Sequence, residues 1–325
     1  ERVAEICNID PDDLRKAAIM YAKADKAPIM YCLGVTEHST GTEGVMSMSN
    51  MAMLVGKLGR EGCGVNPIRG QNNVQGACDM GAMPTDFPGY QKVDNPEVLA
   101  KFENAWGIKL NPKPGIKATE VFPAAIKGDI KGLYIFGEDP VVTDADTNHI
   151  IKALESLDFL VMNELFMTET AQYADVILPG VSYAEKEGTF SNTERRVQRV
   201  RKAVELEGEM RLDTDIFIDL LNRMGYPQPH LTSAEIMDEV ASLTPSFAGI
   251  SHKRLDEVGS LQWPCPSKDH PGTPILHVGK FARGLGYFYP AKYVPSAELP
   301  DAEYPYILMT GRILYHYTTR AMTGR

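Results

Sequence analysis

The chain has 325 residues, of which 43% are apolar and 23% are charged, and its formal net charge is -10 at pH 7. This is the composition of a globular protein with a substantial core, and the length favours two or three domains. The charges form no long basic run, which argues against nucleic-acid binding, and no stretch has the roughly 18–20 apolar residues that span a bilayer.

The five cysteines form no C-x-x-C pair. An odd count without paired spacing fits a reducing compartment better than a disulfide framework. An iron–sulfur cluster held by this stretch alone is disfavoured, because cluster ligands are spaced more closely. The chain opens on Glu1 without a signal-peptide pattern. We therefore expect a cytoplasmic protein, and both ends read as internal positions of a longer polypeptide.

The first 58 residues predict two helices around a short strand. Asp10 is a suitable N-cap, and Pro11 suits the first helical position. Residues 29–33 form an apolar run that predicts a strand, and residues 43–58 carry apolar side chains at helical spacing. From residue 59 to 89 this periodicity ends, and glycines and amides dominate. Long loops of this kind are often functional.

Helices and strands then alternate up to residue 178. The pattern predicts helices at residues 96–106, 119–127, 146–156 and 168–174, and strands at residues 132–136, 159–162 and 176–178. Strands separated by helices predict a parallel, doubly wound sheet, so the expected fold class is α/β.

The rest of the chain has less regular patterning. Residues 186–203 show little periodicity, whereas residues 213–224 and 232–243 predict helices, the second with a capping box formed by Thr232 and Glu235. Residues 249–305 are rich in proline, glycine and aromatic residues without a clear period. Residues 306–309 predict a strand that opens another unit.

The loop NPIRGQNNVQGACDMG, residues 66–81, combines a fixed cation with neutral amides. Arg69 is followed by Gly70, which lets the backbone approach a ligand closely, and by Gln71, whose amide does not titrate. A guanidinium holds a carboxylate through two parallel hydrogen bonds. The loop therefore suits a small anion beside a large heterocycle, and the alternative is a surface loop with a salt-bridged arginine.

Polar residues follow the predicted strands, where ligands of open α/β sheets bind. Asp139 has two carboxylate oxygens that match the N1–H and 2-amino groups of guanine, although a cap on a strand-to-helix turn is the alternative. Thr143 is placed to reach an adjacent sugar or phosphate. Asn163 and Glu164 end the strand at residues 159–162, and Glu164 suits ribose hydroxyls.

Several motifs resemble one known family. The run VNPIRGQNNVQGACDMGAMP, residues 65–84, resembles almost letter for letter the signature of the formate dehydrogenases in the molybdopterin oxidoreductase family. The segments YCLGVTEHSTG, IFGEDPVVTDAD, FMTETAQYADVILPG and AEKEGTFSNTERRVQ resemble the same family in the same order. The resemblance covers nearly the whole chain, and a run of this length is far more specific than a lone glycine motif.

The resemblance implies two molybdopterin guanine dinucleotides that hold Mo or W, and the oxidation of formate to CO2 or its reverse. It implies that Arg69 orients formate and that Gln71 lies beside the pterin. Contacts to the dinucleotides are implied for Leu33, Glu37, Asp139, Thr143, Asn163, Glu164, Gly180, Asp215, Arg312 and His316. Leu33 fits a core equally well, Asp215 fits an acid in a first helical turn, and His316 fits a buried structural histidine.

By the same resemblance, residues 1–70 are the remainder of an α/β domain and residues 71–230 a second, dinucleotide-binding α/β domain. Residues 231–303 are an irregular connection, and residues 304–325 begin a truncated, β-barrel-like C-terminal domain that binds the second dinucleotide.

The family's cluster cysteines and its metal-ligating cysteine or selenocysteine have no counterpart here. We therefore expect no metal ligand in this chain, a [4Fe–4S] cluster in a missing N-terminal part, and no catalysis by the fragment alone. Expected partners are the rest of the subunit and an iron–sulfur, NAD- or hydrogenase-linked electron acceptor. The alternatives are another enzyme of the family, such as a nitrate reductase, and a non-catalytic interaction fragment.

Overall fold

The computed structural model describes residues 1–309, 311, 313–316 and 320. This part of the chain divides into two compact units. The first consists of Glu1–Gly70 and Thr273–Met309, and the second of Gln71–Gly272 with the described residues after Met309. The predicted division into four segments stays a prediction. Among the described residues, no helix combines the length and apolarity that crossing a membrane requires.

The first unit joins short helices to a two-stranded parallel sheet. Its elements are α1 Arg2–Cys7, α2 Pro11–Lys23, β1 Pro28–Tyr31, α3 Leu33–Thr36, α4 Gly41–Leu54 and β2 Gly64–Pro67. Asp10 caps α2 as predicted, because its Oδ1 accepts a hydrogen bond from the Asp12 N–H at 2.7 Å. Strands β1 and β2 run parallel with Tyr31 opposite Pro67, so the chain leaves both strands at the same edge.

The second unit contains most of the helices. They are α5 Val74–Asp79, α6 Pro96–Trp106, α7 Ala118–Lys127, α8 Pro140–Thr143, α9 Thr147–Glu155, α10 Asp213–Arg223, α11 Ser233–Leu243 and α12 His252–Val258. The sequence predicted the bounds of α6, and the predicted capping box of α11 is confirmed by the Thr232 N–H donating to Glu235 Oε2 at 2.8 Å. Such caps stabilise a helix because they satisfy backbone donors that the first turn leaves unpaired.

The strands of the second unit form three sheets. They are β3 Asp86–Phe87, β4 Gln91–Lys92, β5 Gly132–Phe136, β6 Phe159–Glu164, β7 Val176–Pro179, β8 Gly188–Ser191, β9 Arg196–Val200 and β10 Ser260–Gln262. Strands β5, β6 and β7 form a parallel sheet in that order, as the alternating pattern predicted. Strands β8, β9 and β10 form an antiparallel sheet, and β3 pairs with β4.

Two apolar clusters hold the second unit together. The first surrounds the parallel sheet and contains Ile135, Val141, Ile150, Leu154, Leu160, Met162 and Ala171. The second lies beside the antiparallel sheet and contains Val197, Met237, Phe247, Ile250, Leu255, Leu261 and Cys265. Full burial of a Leu, Ile or Met side chain contributes about 1.5–3 kcal/mol, so each cluster anchors the sheet that it covers.

Three predictions from the sequence differ from the structure. The short helix expected at residues 168–174 is a 3-10 turn at Thr170–Tyr173. Residues 186–203 and 249–305 are more regular than their patterning indicated, because they contain β8, β9, α12 and β10. The strand predicted at residues 306–309 is wrong: Tyr306, Leu308 and Met309 are 89%, 89% and 87% exposed, and no described strand pairs with them. A strand without a partner is not stable in water.

Candidate functional site

Polar side chains gather where the parallel strands of the second unit end. Phe136 of β5 is opposite Asn163 of β6, and Glu164 of β6 is opposite Pro179 of β7. The segments that follow these strands line a cavity of about 280 Å³. Its wall includes Glu138, Asp139, Thr143, Asn163, Glu164 and Gly180, and other segments add Gln71, Lys186 and Asp213. Parallel sheets place ligand sites at this edge, so the cavity is the candidate site.

Asp139 connects the turn after β5 to the turn after β6. Asp139 as a whole is 2% exposed, and its Oδ1 accepts hydrogen bonds from the Thr170 N–H at 3.0 Å and the Thr170 hydroxyl at 2.6 Å. Thr170 Oγ1 accepts in turn from the Val141 N–H at 3.1 Å. Asp139 makes no side-chain cap on α8. Oδ1, one of the two carboxylate oxygens that the sequence predicted to bind guanine, is therefore already hydrogen-bonded to another part of the fold.

Glu138 and Thr143 lie beside Asp139 on the same wall. The Thr143 hydroxyl donates to Glu138 Oε1 at 2.9 Å, and the Asp139 N–H donates to the same oxygen at 3.2 Å. Glu138 is exposed, whereas Asp139 is buried. The side chain of Glu138 is thus the carboxylate of this turn that reaches solvent in the cavity.

Gly180 and Asn163 form a tight part of the cavity wall. A Cβ on Gly180 would lie 2.9 Å from Asn163 Nδ2. Asn163 is 2% exposed, and its Nδ2 donates to the Leu178 carbonyl oxygen at 3.2 Å, so it has little room to move. The Gly180 N–H donates to the Glu164 carbonyl oxygen at 3.0 Å. Glycine keeps this wall open for the close approach of a ligand.

The cavity carries more acids than bases among its lining residues. Glu138, Asp139, Glu164 and Asp213 face one cation, Lys186, whose Nζ contacts Asp213 Oδ2 in a short ion pair. Burial raises the pKa of Glu164, and the carboxylates of Asp139 and Glu138 raise it further against the backbone N–H groups of Leu165 and Phe166. Such a wall suits a ligand that presents hydrogen-bond donors, as a guanine base or ribose hydroxyls do.

Replacing Glu164 by glutamine should increase thermal stability at neutral pH but not in acid. The raised pKa means that the folded chain binds this proton more tightly than the unfolded chain. The contribution of Glu164 to stability is complete below its ordinary pKa of 4.5 and decreases as pH rises through the folded pKa. Melting curves of Glu164→Gln and wild type should therefore coincide near pH 4 and separate near pH 8.

The matched control is Glu155→Gln, at the exposed end of α9. Its melting temperature should differ from that of the wild type by the same small amount at both pH values. A Glu164→Gln variant that behaves in the same way would contradict the charge assignment of the cavity.

The other predicted site residues lie in several places. Leu33 and Glu37 are exposed and follow β1, and Arg69 is exposed and follows β2. The Ile68 N–H donates to the Tyr31 carbonyl oxygen at 2.7 Å, which continues the pairing of the two strands. The first unit therefore brings Leu33, Glu37 and Arg69 to one sheet edge, as expected for residues after parallel strands.

Among the described residues, Asp215 and His316 do not line the cavity. Asp215 lies in the first turn of α10, and its Oδ1 is 3.1 Å from His230 Nδ1. His316 is half-buried, and its backbone N–H donates to the Ile313 carbonyl oxygen at 3.2 Å. Arg312 lies outside the described residues. The dinucleotide contacts of these three residues stay predictions.

Glu138, Lys186 and Asp213 line the cavity but were not singled out from the sequence. A signal for Asp213 was present, because it lies three residues before the buried Ile216 on α10 and so shares its face. Asp215 points the other way, towards His230. Lys186 precedes β8, a strand that was not predicted from the sequence. Nothing in the local sequence therefore indicated that Lys186 would line the cavity.

Comparison with known proteins gives one consistent family. A sequence model of the family Molybdopterin oxidoreductase matches residues 13–223. The F420-dependent formate dehydrogenase 2 subunit alpha of Methanococcus maripaludis is 51% identical over the whole chain, which covers 48% of that protein. Formate dehydrogenase H of Escherichia coli is 42% identical over the whole chain, which covers 46% of it. The chain thus spans about half the length of the curated relatives that it matches.

A solved structure shows the same fold. Acetylene hydratase from Pelobacter acetylenicus aligns with a TM-score of 0.59, over 81% of this chain and 38% of that chain. The two sequences are 20% identical, so this similarity concerns the fold alone.

Proposed function

Because this chain belongs to the molybdopterin oxidoreductase family, we propose that it is part of the large subunit of a formate dehydrogenase. The reaction is the oxidation of formate to CO2, with the release of one proton and two electrons, or the reverse reduction of CO2. The observation that carries this proposal is the identity of 51% and 42%, over the whole chain, to proteins named as formate dehydrogenases. The Arg69 loop is the part of the chain whose chemistry fits formate best.

The cavity at the end of the parallel sheet is proposed to hold the nucleotide end of a molybdopterin guanine dinucleotide. Glu138, Glu164 and Asp139 offer carboxylates for guanine or ribose donors, and Thr143 and Asn163 offer neutral polar groups. Gly180 leaves the space that a Cβ would fill. When bound, the group would supply the Mo or W centre that accepts the two electrons, as cofactors supply the difficult chemistry in such enzymes.

Arg69 is proposed to hold the substrate. Formate carries one negative charge on a planar carboxylate, and the planar fork of a guanidinium donates two parallel hydrogen bonds to such a group. This interaction fixes both the affinity and the direction of the formate C–H bond, which a two-electron transfer requires. Gln71 lines the cavity and offers a neutral amide, which suits the side of a pterin ring.

Other parts of the enzyme are proposed to lie outside this chain. They include a [4Fe–4S] cluster, the second dinucleotide's remaining contacts and an electron-transfer partner. A cytoplasmic location is proposed as well, because the cysteines have an odd count and lack the paired spacing of a disulfide framework.

The intact subunit tests the function directly. With its metal and cluster, it should reduce a viologen dye when formate is added but not reoxidise the reduced dye with nitrate. Acid treatment should release guanine nucleotide, and metal analysis should find Mo or W. Turnover of nitrate without turnover of formate would instead favour a nitrate reductase. Absence of both metal and guanine from the intact subunit would favour a non-catalytic protein.

A further inference from the structure

Helix α5 begins three residues after Gln71 and has only six residues. A helix this short is not stable in water by itself, so contacts at its two ends must hold it. The position of Gln71 in the cavity wall therefore depends on how α5 is anchored.

The beginning of α5 is anchored through Asn73. This residue has a positive φ of 72°, and its Oδ1 accepts a hydrogen bond from the Ser191 N–H of β8 at 2.9 Å. A Cβ on Gly76 would lie 2.0 Å from the same oxygen. Glycine at position 76 thus leaves room for the asparagine side chain to turn back over the helix and reach the sheet.

The end of α5 is anchored through Asp79, whose side chain is fully buried. Its Oδ1 accepts hydrogen bonds from Gln75 Nε2 at 2.7 Å and from the Tyr90 hydroxyl at 2.8 Å. Its Oδ2 accepts from Trp263 Nε1 at 2.7 Å. Three donors from three segments of the second unit therefore converge on one carboxylate.

The surroundings of Asp79 keep the Tyr90 hydroxyl protonated and place a cation nearby. Burial and the Asp79 carboxylate raise the pKa of Tyr90 well above its usual range, so its hydroxyl stays a donor. The Arg195 guanidinium lies 5.5 Å from the centre of the Trp263 ring. The backbone N–H of Trp263 donates to the Arg195 carbonyl oxygen at 3.1 Å. A buried carboxylate is costly unless donors and a nearby cation compensate it, and both are present here.

We propose that Asp79 is a positioning residue, whose hydrogen bonds to Gln75, Tyr90 and Trp263 hold α5 so that Gln71 stays in the cavity wall. The role does not require Asp79 to touch substrate or cofactor. It rests on the proposed function in one respect, since the catalytic consequence depends on Gln71 lying beside the cofactor.

The variant Asp79→Asn in the intact subunit tests this role. An amide group replaces one accepting oxygen with a donor, so at least one of the Tyr90, Gln75 and Trp263 donors faces another donor. Amide hydrogen exchange at residues 71–79 should accelerate by about tenfold, while exchange in β5, β6 and β7 stays unchanged. The value of kcat/KM for formate should decrease by about tenfold.

Two further variants separate positioning from general loss of stability. Asp86→Asn is the matched control, because Asp86 is also buried but its carboxylate pairs at 2.7 Å with Lys92, a residue of β4. It should leave exchange at residues 71–79 unchanged. Trp263→Phe removes the indole N–H donor and keeps a smaller aromatic ring in its place, so it should fold and show the Asp79→Asn pattern in a weaker form.

A double-mutant cycle with Gln71→Ala tests whether Asp79 affects formate kinetics through Gln71. If Asp79 acts through Gln71, then Asp79→Asn should not lower kcat/KM further in a Gln71→Ala background. Additive losses, or faster exchange spread over the whole second unit, would overturn the proposal. The exchange measurement needs no turnover, so a wild type that does not oxidise formate would contradict the proposed function and leave the positioning role to be decided by exchange alone.

Discussion

Replacing Arg69 by alanine in the intact subunit should lower kcat/KM for formate by about 10²–10³-fold. The variant loses a charge-assisted pair of hydrogen bonds to the carboxylate, each of which contributes about 1.5–3 kcal/mol, and water replaces them only in part. Both terms of the ratio should change, because the guanidinium both binds formate and directs its C–H bond. Steady-state assays with a viologen acceptor measure the change.

Two variants control this experiment. Arg69→Lys keeps the charge but loses the planar fork, so its loss should be smaller, about tenfold. Arg60→Ala removes another exposed arginine of the first unit, which pairs with Asp25 at 3.2 Å, and should leave formate kinetics unchanged. If Arg69→Ala keeps kcat/KM within about threefold of the wild type, the substrate role of Arg69 is wrong.

Asp139→Ala should destabilise the second unit by about 3 kcal/mol, which corresponds to a melting temperature roughly 6–12 °C lower. The substitution leaves the N–H and hydroxyl donors of the fully buried Thr170 without their acceptor. Burying an unpaired donor costs about 1–3 kcal/mol. Thermal denaturation of the intact subunit, followed by near-ultraviolet circular dichroism, measures the loss.

Asp139→Asn and Asp146→Ala are the comparisons. The amide oxygen of Asn still accepts from both Thr170 donors, so this variant should retain most of the stability. Asp146 caps α9 at the surface by accepting from the His149 N–H at 3.1 Å, and its loss should cost only about 1 kcal/mol. An Asp139→Ala variant as stable as Asp146→Ala would show that the link between the two turns contributes little.

The parallel sheet could be predicted from the sequence because its signals are local. Residues 132–136 are a continuous apolar run between glycine-containing turns, and the observed β5 has the same bounds. The antiparallel sheet gave weaker signals. Strand β9 contains the polar residues Arg196, Gln198 and Arg199. Its Val197 is buried in the core and is 1% exposed. Its two valines, Val197 and Val200, are three positions apart, so they do not alternate with a period of two.

Some residues of the candidate site could likewise be predicted from local sequence signals, and others could not. Asn163, Glu164 and Gly180 could be predicted because ligands bind where parallel strands end, and that position follows from the order of elements. Lys186 and Asp213 come from segments whose approach depends on tertiary packing. The hydrogen bond between Asp139 and Thr170 also joins residues 31 positions apart. No local pattern therefore indicated that the Asp139 carboxylate would be bonded within the protein.

The two stretches that make up the first unit have a consequence for synthesis of the protein. Glu1–Gly70 must join Thr273–Met309, and the whole of Gln71–Gly272 is translated between them. At roughly 5–20 residues per second, the ribosome needs on the order of 10–40 s to make that intervening segment. Gln71–Gly272, the main part of the second unit, emerges as one uninterrupted segment and can begin to fold at once. Glu1–Gly70 has to wait during this time with the exposed loop that bears Arg69, so nascent-chain binding factors can act on that stretch.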